Sequence, residues 1–328
     1  MADTNSEARG EVPIRVLVSA CLLGEPVRFD GMHKRDAYVV DTLGRYFELV
    51  RVCPEVEVGM GVPRETIRLV ADPDAPGGAR LVAPKSGVDW TGRMAAWSRE
   101  RLDGLAALDL CGYVCKKDSP SSGMTRVKVY GAHGIPDRSG AGVFTRMFMD
   151  RFPLVPVEEE GRLNDPALRE NFVQRVFRMK AWRDFLASSP DRGDLVAFHT
   201  DHKLLLLTHA RTAYTELGRL VAAAKTMPWP DLLARYGEGF LRALAHPATR
   251  GRTTDVLLHM LGHFRRVLDA DDRAELADAI ARYRAEQVPL VVPLTLFRHH
   301  LRRHEVPWLA RQVFLDPHPA EMMLRNHV

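Results

Sequence analysis

Three short apolar runs end in cysteine, and this pattern constrains the fold more than any other feature of the chain. Cys21 follows the run from Ile14 to Ala20, Cys53 closes FELVRVC, and Cys111 and Cys115 flank the third run in LCGYVC. Buried strands read as such runs, and the carboxyl ends of strands in an open α/β sheet form the crevice where ligands bind. We therefore expect the three thiols to meet at one edge of a sheet. Three thiolates there would hold a soft metal or an iron–sulfur cluster and leave one coordination position open.

The composition bounds the class of protein. Hydrophobic residues make up 46% and charged residues 27% of the 328 residues, which is ordinary for a globular chain. Runs such as LVAAA and LLLL are too short to span a bilayer, and residues 1–11 lack the apolar segment of a secretory signal. We therefore expect a cytoplasmic protein with no membrane partner. In that reducing compartment a disulfide framework is not expected, and the absence of a CxxC pair argues against a zinc ribbon. Buried cysteines that act as small hydrophobic residues are the competing interpretation.

Strand and helix patterns divide the sequence into two parts. Up to about residue 150, short apolar runs such as IRVLVSA and RVKVY alternate with amphipathic stretches such as residues 89–108. This alternation predicts an α/β domain over residues 12–155, with a parallel-type sheet flanked by helices. Residues 71–85 are rich in Pro, Gly and Asp and predict a surface loop or hairpin. Residues 151–163 carry two prolines and an acidic run and predict a passage between domains.

Helical periodicity takes over from residue 164 and predicts an all-α domain over residues 164–328. The expected helices span residues 166–187, 191–210, 211–225, 229–244, 252–268, 271–286 and 293–303.

Two basic or histidine-rich stretches stand out in this second part. The spacing of His199, His202 and His209 predicts one helical face, which could form a metal site, but no HExxH pattern or carboxylate partner accompanies them. The run RHHLRRH at residues 298–304 suits phosphate contacts, although a solvated charged helix is the usual explanation of such a run.

The segments around the cysteines resemble the TudS-like thiouracil desulfidase family. The resemblance lies in VSACLLGEPVRFDGMHKRD, CPEVEVGMGVPRETIRLV and KKDSPSSGMTRVKVY. Two later segments, LVAFHTDHKLLLLTHARTAYTELGRLVA and FLDPHPAEMMLRN, resemble the YbgA-type helical domain that is often fused to it. That resemblance implies an RNA-binding domain over residues 164–328, and an RNA-facing or structural role for His199, His202 and His209 rather than a metal site. The order of SACLLG, CPE, GVPRE and KxxSPSxG makes the combination specific. The two resemblances together cover nearly the whole chain.

The resemblance implies a [4Fe–4S] cluster that three cysteines bind, with the fourth iron open to substrate. It also implies an activity, the removal of sulfur from 4-thiouridine in tRNA. In the implied reaction the thiocarbonyl sulfur binds the open iron, water attacks the ring carbon, and uridine and sulfide form with no net redox change. Iron suits sulfur better than a hard ion such as magnesium does. The expected partner is tRNA that contains 4-thiouridine, or a small thiolated pyrimidine.

The resemblance assigns the cluster ligands residue by residue. Cys21 matches the SACLLG cysteine and Cys53 matches the CPE cysteine, so both are expected ligands. Many family members have SPSCG, and Ser122 stands at the cysteine position of that motif here. We therefore expect Cys115, seven residues earlier, to be the third ligand through a folded-back segment, with Cys111 as the alternative.

The expected catalytic residues surround the second cysteine motif and the serine motif. Glu55 is the expected general acid or base, and the alternatives are a helix cap or a partner for Arg64. Ser119 and Ser121 are expected to donate hydrogen bonds to the base or to cluster sulfurs. A plain turn is the alternative for the serine motif.

The expected substrate-binding residues are Asp30, Arg64, Lys116 and Ser122. Asp30 would meet a base edge or cap a helix. Lys116 would neutralise the cluster or meet phosphate, and solvated surface is its alternative.

Two other functions stay open on the sequence alone. One is a desulfidase for the free base, 4-thiouracil or 2-thiouracil. The other is a non-catalytic RNA-binding or stress-response protein with a structural zinc or no metal. The sequence has no Walker A loop, no GxGxxG after a strand and no GxSxG motif, so nucleotide-cofactor and serine-hydrolase chemistry find no support.

Overall fold

The computed structural model describes residues 13–75, 77–131 and 134–327. The chain separates into two compact units, Met1–Asn164 and Asp165–Val328. The first unit is α/β and the second is mostly helical, so the predicted fold class is confirmed. In the described ranges, no helix combines the length and the apolar character that crossing a membrane requires.

The described part of the first unit builds two four-stranded sheets. Their strands are β1 (Arg15–Ser19), β2 (Glu48–Val52), β3 (Arg68–Ala71), β4 (Ala79–Val82), β5 (Gly112–Cys115), β6 (Val127–Tyr130), β7 (Pro136–Gly140) and β8 (Val157–Glu159). The first sheet has the order β2-β1-β5-β8 and is parallel throughout. The second has the order β4-β3-β6-β7 and pairs β3 with β6 in parallel and the outer pairs antiparallel.

Strand β1 is the central element of the first sheet. Val16, Leu17 and Val18 are fully buried, as expected for a strand covered on both faces. Its neighbours are β2 on one side and β5 on the other, so the chain leaves β1 and β5 in opposite directions. Such a reversal of strand order opens a crevice at the carboxyl ends of the strands.

Helices α1 (Pro54–Glu57), α2 (Thr91–Ala106) and α3 (Val143–Arg151) complete the first unit. Aromatic side chains join α3 to the sheet, because the Tyr113 ring of β5 lies 6.1 Å from the Phe144 ring and 5.1 Å from the Phe148 ring. Trp97 of α2 packs against Phe144 at 5.4 Å. The face of β5 that carries Tyr113 is therefore closed by α3.

The second sheet departs from the expected pattern. Strands β3 and β4 form the hairpin that is one of the two alternatives for residues 71–85. The alternation of strands and helices predicts RVKVY as part of a parallel sheet, yet β6 lies in the mixed sheet. The connection from β5 to β6 is a loop, whereas parallel neighbours need a longer crossover that is usually helical.

Residues 151–163 were expected to be a passage between domains, and this prediction is wrong for the middle of the segment. Residues 157–159 form β8, which pairs with β5 at the edge of the first sheet. Glu158 and Glu159 are 8% and 6% exposed, which no solvated linker would be. Acidic residues normally indicate surface, and here hydrogen bonds of the first unit override that tendency.

The second unit consists of nine described helices. They are α4 (Pro166–Ala187), α5 (Arg192–Asp201), α6 (Lys203–His209), α7 (Arg211–Ala222), α8 (Trp229–Ala245), α9 (Arg250–His263), α10 (Ala270–Arg284), α11 (Val291–Arg303) and α12 (Pro307–Ala310). The expected single helix over 191–210 is instead two helices. Helix α5 ends at Asp201, and the next residue, His202, has φ −94° and ψ 1°.

The three histidines of this segment, two near the break and one at the end of α6, are structural. His199 Nδ1 lies 3.1 Å from the Tyr236 hydroxyl, and His202 Nδ1 lies 2.8 Å from the Phe198 carbonyl oxygen. His209 Nδ1 lies 2.6 Å from the carbonyl oxygen of residue 246. Their exposed fractions are 9%, 4% and 2%, so they do not present a surface to RNA. Burial lowers the pKa of His199 and His209 to about 4 and that of His202 to about 3.

Acidification is expected to destabilise the chain through these three histidines. Each stays neutral when folded but binds a proton near pH 6.5 when unfolded, so its contribution is complete above pH 6.5 and is lost as the pH falls toward 4. At about pH 5 each histidine costs about 1–2 kcal/mol of unfolding free energy. Thermal unfolding of the full chain measures the effect.

The variant His199→Asn is the control. Asparagine can bond the Tyr236 hydroxyl but does not titrate, so this variant should lose less stability on acidification than the wild type. An unfolding temperature that does not fall between about pH 7 and about pH 5 would contradict the prediction.

Candidate active site

A cavity of about 390 Å³ lies at the carboxyl ends of β1, β2 and β5. This is the crevice that the strand order predicts. Its volume is in the range of small-molecule sites. The wall brings together residues that follow each strand, including Cys21, Cys53, Glu55, Arg64, Lys116, Ser119 and Ser122.

Cys21 is positioned by the turn that follows β1. Residues Ala20–Leu23 form one short 3₁₀ turn, which Gly24 closes with φ 94°, a conformation that favours glycine. The Cys21 carbonyl oxygen accepts a hydrogen bond from the Lys34 amide at 2.9 Å. The thiol is therefore held at the wall by backbone contacts on both sides of the turn.

Cys53 stands at the first position before α1. Its amide donates to Glu57 Oε1 at 2.9 Å, and its Sγ lies 3.6 Å from Glu55 Oε2. Pro54 is the first residue of α1 and has no amide hydrogen, so it leaves no donor without a partner at the helix start. The CPE sequence thus places a thiol and a carboxylate side by side.

The thiols of Cys21 and Cys53 both have raised pKa values. Burial, and then the charge of Glu55, raise the pKa of Cys21 to about 11 and that of Cys53 to about 12. A soft cation in the cavity would favour their thiolate forms, because metal binding requires deprotonated ligands.

The serine motif forms a tight turn against the start of α3. Ser119 Oγ accepts hydrogen bonds from the amides of Ser121 and Ser122 at 3.3 and 3.2 Å. The Pro120 and Ser121 carbonyl oxygens accept from the first amides of α3, at 3.1 and 2.9 Å. The turn therefore satisfies donors that a helix start leaves without partners. A Cβ on Gly142 would lie 2.4 Å from the Ser121 carbonyl carbon, so this contact requires glycine.

The same turn delivers hydroxyl groups to Glu55. Ser121 Oγ donates to Glu55 Oε1 at 2.6 Å, and Ser119 Oγ donates to the same oxygen at 3.4 Å. Arg64 Nη2 lies 4.0 Å from Glu55 Oε2, and the exposed fractions of the two side chains are 9% and 13%. Ser122 Oγ lies 3.1 Å from Ser121 Oγ. Glu55 is thus oriented by hydroxyl groups at one oxygen and lies beside Cys53 and Arg64 at the other.

Arg64 also fixes a neighbouring part of the wall. Its Nη1 donates to the Val27 carbonyl oxygen at 2.9 Å, and its amide donates to the Phe29 carbonyl oxygen at 2.9 Å. Phe29 lines the cavity with 40% of its surface exposed, and the Arg28 guanidinium lies 5.3 Å from its ring. An exposed flat ring beside a cation is suited to stacking with a planar ligand.

Cys115 does not line the cavity, contrary to the expectation of a folded-back segment. Its side chain is fully buried and shares the face of β5 with Tyr113, since alternate residues of a strand point the same way. That face is closed by α3. Burial raises its pKa well above the ordinary value, and Glu159 adds to this effect. Cys111, the alternative, precedes β5 at the opposite end of the strand, with Sγ 3.5 Å from the Asp109 carbonyl oxygen.

Asp30 does not line the cavity either. Its Oδ1 accepts from the Met32 amide at 3.1 Å and lies 3.4 Å from Arg28 Nε, so the side chain closes an exposed turn. It caps no helix. A short polar side chain in a turn bonds its own backbone before it can reach a ligand. Ser121 is fully buried and reaches the site through Glu55.

The acidic run of β8 holds the site in a way that the sequence did not reveal. Glu159 Oε1 accepts from the Met124 amide at 2.9 Å, directly after the serine motif. Glu160 pairs with the Lys116 ammonium group and accepts from the Lys117 amide at 2.8 Å. Lys116 therefore lines the cavity with its charge already paired. The only sequence signal for these roles is an acidic run after an apolar stretch.

The donor set tests which metal groups the wall suits. In the described ranges, no three His, Cys, Asp or Glu side chains are grouped closely enough to hold a single metal ion. Two thiols and several hydroxyl groups share the cavity, so the wall offers soft ligands at two positions. A polynuclear group, whose ligands bind separate metal atoms, fits those two positions. Its third expected thiolate is not on the wall.

Replacing Gly142 with alanine is expected to disturb the serine turn. The backbone at Gly142, with φ −61° and ψ 142°, suits alanine, so the cost arises only from the new Cβ against Ser121. Such overpacking costs about 1–3 kcal/mol of unfolding free energy, measurable by denaturant titration. The matched control is Gly104→Ala in α2, where a Cβ meets no atom within 4 Å and stabilises by about 0.5–1 kcal/mol. Equal effects of the two variants would show that the turn is not tightly packed.

Comparison with known proteins identifies both parts of the chain. The family model described as 2-thiouracil desulfurase matches residues 16–160, and a family of unknown function, DUF1722, matches residues 203–319. The uncharacterized protein YbgA of Escherichia coli (strain K12) is 30% identical over 153 residues, which are 46% of this chain and 90% of that protein. A solved structure of the [4Fe–4S]-dependent thiouracil desulfidase TudS is 30% identical, and the match covers 48% of this chain and 97% of that one with a TM-score of 0.38.

This chain therefore belongs to the 2-thiouracil desulfurase family through residues 16–160, followed by a helical part of the YbgA type.

Proposed function

We propose that this chain is a [4Fe–4S]-dependent desulfidase that converts 4-thiouridine in tRNA to uridine and sulfide. The observation that carries the proposal is the cavity wall on which Cys21, Cys53 and Glu55 stand together in a member of the thiouracil desulfurase family. The reaction exchanges a thiocarbonyl and water for a carbonyl and hydrogen sulfide, so no oxidant or reductant is needed.

Cys21 and Cys53 would hold the cluster. Thiolates are the usual ligands of such clusters, and the two thiols line one cavity at the ends of adjacent strands. When bound, the cluster supplies an iron with affinity for sulfur that polarises a carbon–sulfur bond.

Glu55 would act on the attacking water. Hydrogen bonds from Ser121 and Ser119 orient one carboxylate oxygen, and Arg64 keeps the other within 4.0 Å of a positive charge. A carboxylate held this way in a cavity can accept the proton that water loses on attack and return it to the leaving sulfur. The buried Ser121 hydroxyl is a positioning group for Glu55.

The outer part of the cavity would bind the pyrimidine nucleotide. Phe29 offers a ring for stacking, which tolerates any base and is common in single-stranded RNA recognition. Lys34 and Lys117 also line the cavity and can meet phosphate. Cations at the rim favour a nucleotide over a free base, which has no phosphate to bind.

The helical unit would bind the RNA backbone. Two open cavities of about 600 and 700 Å³ both include Arg219 and Glu216 in their linings. Together the two linings contain five arginines: Arg211, Arg219, Arg235, Arg242 and Arg252. Arg211 and Arg242 are paired with carboxylates, whereas Arg219 and Arg235 are exposed on adjacent helices. Ala210 supplies no cap to α7, which leaves amide donors that suit an anion. Arginines in this arrangement are typical of phosphate contacts.

The basic run at residues 298–304 supports the same role only in part. Arg298 is tied to the Leu315 carbonyl oxygen and to Asp316, at 2.6 and 2.7 Å. Arg302 and Arg303 are exposed and keep their charge available to solvent.

Replacing Glu55 with glutamine tests the proposed chemistry. The wild-type chain, prepared without oxygen, is expected to contain iron and inorganic sulfide and to release sulfide from thiolated tRNA. The Glu55→Gln variant should keep its iron and lose about 10²–10⁴-fold in turnover, because the amide cannot accept a proton. Glu48→Gln, at an exposed ion pair on β2, is the control with unchanged turnover.

Several outcomes decide between the alternatives. Release of sulfide from 4-thiouracil but not from tRNA would favour a free-base enzyme. A colourless protein with zinc or no metal, and no sulfide release, would contradict the proposal and favour a non-catalytic RNA-binding protein.

Reversing two charges on the helical unit tests the RNA role. The double variant Arg219→Glu and Arg235→Glu should weaken tRNA binding and reduce the slope of log affinity against log salt by about 1–2, since each lost phosphate contact removes about 0.7–0.9. Turnover on free 4-thiouracil should stay unchanged. The control is Arg282→Glu with Arg284→Glu on α10, which changes the net charge equally. Unchanged tRNA affinity in the Arg219→Glu and Arg235→Glu variant would contradict the proposed binding of RNA at these cavities.

A further inference from the structure

We propose that Ser122 is the third protein ligand of the cluster, so that two thiolates and one serine oxygen hold it. This inference rests on the proposed function, because it assumes that the cavity binds a cluster at all. It concerns the third ligand position, where this sequence has a serine. In the part of the chain that the structure describes, the cavity wall contains no thiol besides those of Cys21 and Cys53.

The remaining two cysteines are held away from the cavity. Cys115 is fully buried on the face of β5 that α3 covers, next to Tyr113. Turning its thiol toward the cavity would require β5 to reverse its alternation, and β5 is fixed between β1 and β8. Cys111 lies at the amino end of β5, whereas the cavity lies at the carboxyl end. The third ligand must therefore come from the oxygen donors of the wall.

Most of those oxygen donors are already engaged. Ser19 Oγ accepts from the Lys116 amide at 3.0 Å. Ser119 Oγ accepts two amide hydrogen bonds from within its own turn. Glu55 accepts from the hydroxyls of that turn and lies beside Cys53.

Ser122 Oγ differs because its neighbours are themselves hydroxyl groups. It lies 3.1 Å from Ser121 Oγ and close to the Tyr113 hydroxyl. A hydroxyl group can either donate or accept, so these neighbours can turn to leave a lone pair of Ser122 for a metal.

The backbone holds Ser122 at the wall before any ligand arrives. Its carbonyl oxygen accepts from Thr145 Oγ1 at 2.7 Å, and its amide donates to Ser119 Oγ at 3.2 Å. Gly142 lets α3 approach the turn, since a Cβ there would meet the Ser122 amide nitrogen at 2.5 Å. A ligand fixed in this way loses little freedom when it binds.

The proton that Ser122 gives up has a path. Formation of the iron–oxygen bond would break the Ser122 O–H bond, and the proton would leave to solvent through the cavity that Ser122 lines. The step breaks one O–H bond, forms one Fe–O bond, releases one proton to water and changes no oxidation state. Glu55 takes no part in it and keeps the role proposed above.

The test compares iron retention among variants of the full chain prepared without oxygen. Iron and sulfide per chain, and the rate at which a chelator removes iron, are measured for the wild type, Ser122→Ala, Ser122→Cys and Cys115→Ala. Ser122→Ala should lose iron at least about tenfold faster than the wild type. Loss of a residue that only supports a metal ligand typically weakens metal binding by about 10–100-fold, and loss of a ligand should cost no less. Cys115→Ala should lose iron at the wild-type rate.

The cysteine variant supplies a readout that a merely structural serine would not move. Ser122→Cys should keep its iron longer than the wild type, because a thiolate suits iron–sulfur clusters better than an oxygen does. Its Mössbauer spectrum should also change at one iron subsite. This variant is nearly isosteric, so it remains informative if Ser122→Ala fails to fold.

The outcomes separate the two proposals. Iron that is retained in Ser122→Ala but lost in Cys115→Ala overturns the assignment of Ser122 and leaves the proposed function intact. Equal iron loss rates in the wild type, Ser122→Ala and Ser122→Cys also overturn it. A wild-type chain that binds no iron and releases no sulfide overturns the proposed function itself.

Discussion

The parallel pairing of β1 with both β2 and β5 is the constraint on which the whole candidate site depends. Each of these strands ends at the same edge of the sheet, and the chain continues from each end with a polar or thiol side chain. Cys21 follows β1, Cys53 follows β2, and the serine turn follows β5. A shift in the register of one strand would separate these groups, because the hydrogen-bond ladder fixes where each strand ends.

A second set of contacts turns this edge into a rigid cavity. The serine turn provides acceptors to the start of α3, and Glu159 accepts an amide just after the turn. Glu160 holds Lys116 and Lys117 on the other side. Glu159 ends β8 and Glu160 follows it, far from the turn in sequence, so their role depends on how β8 joins the sheet. The turn whose hydroxyl groups bond Glu55 is therefore held by Glu159 and by the start of α3, neither of which lines the cavity.

The second unit illustrates how burial changes the meaning of a sequence pattern. Three histidines at helical spacing suggested a polar face, yet all three are buried and each bonds a group of its own unit. Neutral imidazole can fill such positions because it donates at one nitrogen and accepts at the other. The exposed Arg219 and Arg235 have no comparable sequence signature, since one comes from the last turn of α7 and the other from α8, and they line one cavity only when those helices pack.

The fold class, most helices of the second unit and the two thiols with their neighbouring carboxylate could be predicted from the amino-acid sequence. Those features follow from local periodicity and from motifs that are continuous in the chain. The orientation of Cys115 toward α3, the turn that Asp30 closes and the place of β8 in the first sheet became apparent only in the folded chain. The direction of a side chain depends on the strand alternation and on the elements packed against it, and neither can be read from neighbours in the sequence.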